Sequence, residues 1–284
     1  MKAYILAGGR GERLKPLTSF LPKPLLPVNR VPVLAYTIEW LRRQGITELT
    51  ILTGYKGEMI QQYLKDGREY GVNIEYVCEN VLKGTFGSIR KLAEKEEDSF
   101  LVISGDVLTN MDLAPLITSH KGNDITIAAS KQCFSPHVGI CVTDQQGNLI
   151  DFYEKMKTWQ TDESVLVNSG MYVVSPRWLV NFPKNQFIDI ARDVIPWLQH
   201  NQYNVNVYDF TGYWRDIGTK ENLLLAEKEV LNGEFQILSY GNESPFSPPN
   251  TPSVVNGIRR QVVHSMRRME LRKENREEEK PYGS

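Results

Sequence analysis

Short apolar runs and amphipathic stretches alternate through the first hundred residues of the chain. The runs Ala3–Ala7, Glu48–Thr53, Asn73–Cys78 and Phe100–Ser104 have the length and content of buried strands. Between them, residues 33–44, 57–64 and 86–94 carry apolar positions at helical spacing. In the first of these, Leu34, Ile38 and Leu41 share one face, and Gly45 supplies a stop. Strand–helix–strand order of this kind predicts a largely parallel sheet covered by helices. Past residue 120 the pattern changes. Residues 125–129, 138–142 and 165–174 are β-rich, and 144–148 (D-Q-Q-G-N) reads as a hairpin turn. A further strand is predicted over 204–210, and helices over 188–200 and 220–231. The expectation is one α/β domain with a mixed, mostly parallel sheet.

After Glu234 the pattern breaks. Residues 242–253 form a proline- and serine-rich linker. Residues 259–280 are dense in charge, with Val262, Val263, Met266 and Met269 on one helical face. That face can serve a dimer contact or a partner helix; the charge density favours a mostly solvated tail. The expected division is therefore a domain over 1–234 and a tail over 235–284.

Composition narrows the class. The 284 residues are 41% hydrophobic and 24% charged, ordinary for a globular protein. A net charge of -1 gives no broad field for nucleic acid or membrane. No apolar run has bilayer length, and the N-terminus lacks the pattern of a signal peptide, so a cytoplasmic protein is expected. Cys78, Cys133 and Cys141 are scattered and odd in number, which argues against a disulfide framework or a zinc site.

The first strand runs into Gly8, Gly9 and Gly11, and two cations follow at Arg13 and Lys23. Glycines let backbone N–H groups approach an anion closely. Arginine adds a rigid fork for phosphate oxygens, and lysine a point charge. Three familiar glycine loops do not fit. A P-loop requires Gly-Lys-Ser/Thr, which is absent here. A dinucleotide fingerprint needs a third glycine where Leu14 stands. A kinase lid would be followed by His-Arg-Asp and Asp-Phe-Gly motifs, and neither occurs. The glycines alone fit a tight turn as well; with Arg13, Lys23 and the prolines the run points to a triphosphate site at the first strand–helix turn.

The motif G-G-x-G-x-R-L-x-P-L-T followed by P-K-P-L-x-P-V resembles the signature of the sugar-1-phosphate nucleotidyltransferases. The resemblance runs from Met1 to about Glu234. It implies a Rossmann-like, nucleotide-diphospho-sugar transferase fold, with a mixed, mostly parallel sheet flanked by helices. Glu12 stands where many members carry threonine. Many relatives continue into a left-handed β-helix of hexapeptide repeats; no such repeat occurs here.

Further motifs follow in the family's order. Asp106 closes S-G-D after an apolar strand, and Asp216 lies in W-R-D-I-G-T. Read alone, Asp106 closes a turn or caps a helix near Leu113, and Thr219 is a helix N-cap. The resemblance makes Asp106 and Asp216 joint ligands of Mg2+, a metal that keeps waters and needs few protein ligands. Gly84 and Thr85 resemble a loop lying against the nucleotide base, with Phe86 for the usual alanine; the plain alternative is Thr85 as N-cap. Leu6, Gly8, Gly9 and Gly11 complete the implied nucleotide site. Gly139, Glu154, Lys155, Asn168 and Gly170 match sugar-phosphate positions, although Val138 and Met156 depart from the family's aromatic residue and proline.

The implied reaction joins a nucleoside triphosphate and a sugar 1-phosphate, giving a nucleotide-sugar and pyrophosphate. Arg13 would stabilise the leaving pyrophosphate, while Lys23 and Lys155 would draw in the acceptor phosphate. P-K-P-L and G-Y-W-R-D-I-G-T favour GTP with a mannose- or heptose-type 1-phosphate. Uridylyl or thymidylyl transfer, or a non-catalytic regulatory subunit of this fold, are the alternatives. Oligomeric state is left open, a homo-oligomer included.

Overall fold

The chain was analysed as a computed structural model, which describes residues 1–79, 83–132, 138–154, 156, 158, 164–183 and 187–236. Lys155, Cys133, the linker at 242–253 and the charged stretch at 259–280 lie outside the described residues. The elements in order are β1 (Ala3–Ala7), β2 (Pro27–Val28), β3 (Val31–Pro32), α1 (Val33–Arg43), β4 (Glu48–Thr53), α2 (Gly57–Leu64), β5 (Asn73–Cys78), α3 (Gly87–Ala93), β6 (Phe100–Ser104), β7 (Val107–Thr109), α4 (Leu113–Ser119), β8 (Ile125–Gln132), β9 (Gly139–Thr143), β10 (Leu149–Glu154), β11 (Val165–Val174), α5 (Ile195–His200), β12 (Val205–Asp209), β13 (Trp214–Asp216) and α6 (Lys220–Leu231).

The main sheet runs β5–β4–β1–β6–β11–β8–β12, and the β9–β10 hairpin is attached to the first half of β11. The pairs β5–β4, β4–β1, β1–β6 and β8–β12 are parallel, and β11 alone in that row is reversed against both neighbours. Both faces are covered, which explains why the parallel strands read as near-continuous apolar runs. Ala3, Ile5 and Ala7 of β1 enter one core cluster with Leu34 and Ile38 of α1, and Tyr4 enters the other with Phe86 and Trp178. Strand alternation produces this division.

The hydrophobic pattern located most elements to within a residue or two. The hairpin turn forms as expected: Asp144 Oδ1 accepts from the backbone N–H of Gln146 and Asn148 at 2.9 and 2.8 Å, and Gly147 takes φ 85°. The stretch read as one helix over 188–200 instead begins as a π-helical turn, Ile190–Val194, before α5. Val194 N–H donates back to Asp189 O at 3.2 Å, and Pro196 offers no N–H to the next turn. The three-residue strands β7 and β13 form a separate two-stranded ribbon that no periodicity announced. In open sheets, ligands bind beyond the carboxyl ends of strands where connections diverge to either side. Here β1 is that strand, flanked by β4 and β6.

Candidate active site

The glycine loop leaves the carboxyl end of β1 and is pinned by its neighbours. Gly105 N–H donates to Leu6 O at 2.9 Å, and Tyr55 N–H donates to Gly8 O at 3.2 Å. Gly11 takes φ 62°, and a Cβ there would lie 2.8 Å from Thr18 Cγ2 and 3.2 Å from Lys23 Cβ. The Thr18 hydroxyl donates to Gly11 O at 3.0 Å, folding the loop so that Lys23 returns over it. Leu6, Gly8, Gly9, Gly11, Arg13 and Lys23 all line a cleft of about 500 Å³. Glu12 lines it too and pairs with Lys15 at 2.5 Å.

Asp106 and Asp216, far apart in sequence, are brought together by the β7–β13 ribbon. Asp216 is opposite Val107, and Ile217 N–H donates to Asp106 O at 3.1 Å. Lys23 Nζ is in direct contact with Asp106 Oδ2 and 3.9 Å from Asp216 Oδ1. Burial works to lower the Lys23 pKa, but the two carboxylates outweigh it and hold the ammonium above its usual range. Burial and repulsion from Asp106 push the Asp216 carboxyl above its ordinary range, against the pull of Lys23, the Gly218 N–H and Arg13. Gly218 is the hub: a Cβ there would lie 2.5 Å from Asp216 Oδ1, 2.8 Å from Arg13 Nη2 and 3.2 Å from Lys23 Nζ. Asp106 caps no helix among the described residues; Asp112 caps α4, and Thr219 caps α6 by accepting from Asn222 N–H at 3.2 Å.

The other end of the cleft has a different chemistry. Glu79 follows β5, three strands from β6, or roughly 14 Å across the sheet at normal strand spacing. Its side chain leans toward the glycine loop, and a Cβ on Gly8 would lie 3.3 Å from Glu79 Oε2. Glu79 Oε1 is buried with no hydrogen-bond partner among the described residues. Glu79, Gly84, Thr85, Phe187 and Asp189 line the cleft. Gly84 has φ 79°, and a Cβ would strike the Ile188 backbone. Thr85 does not cap α3. Its hydroxyl donates to Asp189 Oδ2 at 3.1 Å and accepts from Ile190 N–H at 2.8 Å, tying the loop to the segment before α5. Asp189 Oδ1 in turn accepts from Ala191 and Arg192 N–H.

Glu79, Phe187 and Asp189 were missed from the sequence. The position of Glu79 one residue past a parallel strand was the available signal. The other two reach the cleft through a long-range contact that no local spacing encodes.

The residues matched to a sugar phosphate fall into two groups. Gly139 and Glu154 face each other across the β9–β10 ladder, and a Cβ on Gly139 would lie 2.9 Å from Glu154 Oε2. Asn168 and Gly170 form the bulge of β11: Gly170 N–H donates to Asn168 Oδ1 at 3.1 Å, and Gly170 takes φ 75°. A Cβ on Gly170 would lie 2.8 Å from Ser104 Oγ, so this bulge abuts the carboxyl end of β6 beside Asp106. The Trp214 indole donates to Ser169 O at 2.9 Å, joining the bulge to the Asp216 strand.

Two crowded carboxylates, one held above its usual pKa by burial and then by the other, fit a hard divalent cation that keeps its own waters. No group of three His, Cys, Asp or Glu side chains suited to a metal occurs among the described residues, so the donor set does not suit a fully protein-ligated ion. No helix among them is long and apolar enough to cross a membrane.

Comparison with known proteins places the chain in a family. The chain is 32% identical over 235 residues to a mannose-1-phosphate guanylyltransferase of Mycobacterium tuberculosis, covering 81% of this chain. It is 31% identical over 256 residues to a UTP–glucose-1-phosphate uridylyltransferase of Synechocystis sp., covering 83% of this chain. It spans 65% of the length of each of these relatives. A solved structure, HddC from Yersinia pseudotuberculosis, matches with a TM-score of 0.71 at 25% identity, over 81% of this chain and 99% of that one. The family model for nucleotidyl transferases matches residues 2–233, from the start of β1 to just past α6, and the chain belongs to that family.

Proposed function

We propose that the protein transfers a guanylyl group from GTP to mannose 1-phosphate or a related heptose-type 1-phosphate, releasing pyrophosphate. The carrying observation is the polarity of the cleft. Arg13 and Lys23 stand with the two aspartates at one end, and Glu79, whose buried Oε1 has no hydrogen-bond partner among the described residues, lines the other. A nucleoside triphosphate is a polyanion with a neutral heterocycle, so its phosphates belong at the cationic end and its base near Glu79. A carboxylate offers acceptors only. The guanine edge that presents N1–H and the 2-amino group side by side offers it two donors; uracil and thymine offer one donor between two carbonyls. The relative named for guanylyl transfer to mannose 1-phosphate supports the same reading.

In the reaction an ionised oxygen of the sugar phosphate attacks the α-phosphorus of GTP. A P–O bond forms there as the bond to the β-phosphate breaks, and pyrophosphate leaves with the electron pair. No general base is needed. The protein neutralises and aligns two anions. Arg13 faces the departing pyrophosphate, and Lys23 faces the phosphates at the junction, with Lys155 assigned to the acceptor. Gly139, Glu154, Asn168 and Gly170 are assigned to the sugar. Asp106 and Asp216 would hold Mg2+, which supplies charge neutralisation at the phosphate oxygens when bound.

The test is pyrophosphate release with GTP, UTP, dTTP and ATP, each with mannose, glucose and heptose 1-phosphates. GTP with a mannose- or heptose-type acceptor is expected to give the highest kcat/KM. A lead for UTP or dTTP would overturn the base assignment. No pyrophosphate from any pair would overturn the enzymatic reading in favour of a regulatory subunit.

A further inference from the structure

The strand bearing Asp216 is three residues long and, among the described residues, pairs only with β7. A ribbon of this size does not hold itself in register. Alternation sends Trp214 and Asp216 to one face and Arg215 to the other. On that other face stands one carboxylate, Glu229 of α6. Arg215 Nε donates to Glu229 Oε2 at 2.6 Å while Arg215 Nη2 contacts Oε1, a two-pronged ion pair. The Tyr213 hydroxyl donates to the same Oε2 at 2.6 Å. The Glu229 side chain is only 15% exposed and that of Arg215 25%. Tyr213 is backed in turn by Phe235, which is buried, lies 4.6 Å from it ring to ring and 5.7 Å from Tyr36. Phe235 stands beyond the family match, which ends at residue 233.

We infer that Glu229, backed by Phe235, is a positioning residue for Asp216. It touches neither the cleft nor the reacting atoms. It fixes Tyr213 and Arg215, and so fixes where the next residue presents its carboxylate beside Asp106 and Lys23. The inference rests on the nucleotidyl-transfer reading above, because that reading gives Asp216 its task.

The test compares full-length wild type with Glu229→Gln, Glu229→Asp and Phe235→Leu. Two readouts are taken: hydrogen exchange at the Ile217 and Asn110 amides, which donate to Asp106 O and Tyr213 O across the ribbon, and the Mg2+ half-saturation of pyrophosphate release. Glu229→Gln is expected to speed exchange at those two amides and to raise the Mg2+ half-saturation about tenfold, the low end of the scale for losing a direct partner of a metal ligand, because Glu229 acts one residue removed from Asp216. KM for GTP at saturating Mg2+ should stay within about twofold, since the loop that binds it is untouched. Glu229→Asp, which keeps the charge, should recover part of both effects. Ile89→Ala, in the core around Phe86 and Trp178, is the control for general loss of stability and should leave the half-saturation unchanged. Unchanged exchange in Glu229→Gln and Phe235→Leu overturns the clamp. Faster exchange with an unchanged Mg2+ half-saturation, or a shift that Ile89→Ala reproduces, overturns the positioning role. Both of those outcomes require an active wild type. A wild type that releases no pyrophosphate overturns the proposed function itself, and the positioning role with it.

Discussion

Replacing Glu79 by glutamine tests the base assignment most directly. The change is nearly isosteric, so the Gly8 backbone near this side chain keeps its shape. One acceptor becomes a donor. With guanine, an amide N–H then faces a base N–H, and one charge-assisted hydrogen bond is lost in a buried setting; such a bond contributes about 1.5–3 kcal/mol, or roughly 10- to 150-fold in kcat/KM. With uracil the amide presents one acceptor for N3–H and one donor for a carbonyl, so UTP should gain about tenfold from one new neutral hydrogen bond of roughly 1 kcal/mol or more. The GTP-to-UTP preference is expected to fall by roughly two to three orders of magnitude by the same arithmetic. The assay is pyrophosphate release from each triphosphate at saturating mannose 1-phosphate, with the KM of the sugar phosphate as an internal control. A GTP-to-UTP ratio within threefold of wild type would refute the reasoning, whatever the absolute rates.

Three further outcomes follow from the geometry. Gly218→Ala places a methyl group 2.5 Å from Asp216 Oδ1 and 2.8 Å from Arg13 Nη2, and misplacement on this scale costs about 100-fold in kcat; a turnover near wild type in steady-state kinetics would show that the cluster tolerates displacement. Asp106→Asn removes charge from the carboxylate pair and should cost about 3 kcal/mol of transition-state stabilisation, two orders of magnitude in turnover; near-normal Mg2+-dependent turnover would sink its assignment. His120, hydrogen-bonded to Thr126 and Ser175, has its pKa lowered to about 4, by burial first and then by Arg177, against Asp124. The unfolded chain takes up this proton below its ordinary value of 6.5 and the native state does not, so stability present above that value is lost as pH falls toward 4. Urea melts should show His120→Gln losing about 2–3 kcal/mol less than wild type between pH 7 and pH 4.5, and parallel losses would count against it.

The regular strands and helices were legible because burial on both faces of the sheet leaves uninterrupted apolar runs, as in β1, β4 and β6, and because Gly45 and Thr219 mark helix ends. The cationic end of the cleft was legible because its glycines and cations lie within sixteen residues of one another, from Gly8 to Lys23. At the far end only Gly84 and Thr85 were legible, as a glycine loop before a helix. Glu79 comes from the edge of the parallel row, and Asp189 joins through Thr85, more than a hundred residues earlier. Thr85 illustrates the difficulty: a threonine before a helix reads as an N-cap, yet its hydroxyl is already engaged by Asp189 and Ile190. The ribbon escaped for a different reason. Three residues cannot display a period, so β13 looked like a motif and not like a strand.

This difference in legibility follows a difference in how the two aspartates are held. Asp106 stands two residues beyond β6, whose register is set on one side by β1 and on the other by β11. The sheet fixes it, and any change that moves it must disturb the core. Asp216 has only the two-stranded β7–β13 ribbon behind it among the described residues. That ribbon is braced by side chains: the Trp214 indole on the β11 bulge on one face, the Arg215–Glu229 pair on the other. One half of the carboxylate pair is therefore bound to the stability of the whole domain, and the other can be tuned from α6 without touching the nucleotide. Substitutions on α6 and at Phe235 should alter metal dependence while leaving triphosphate selection to the far end of the cleft.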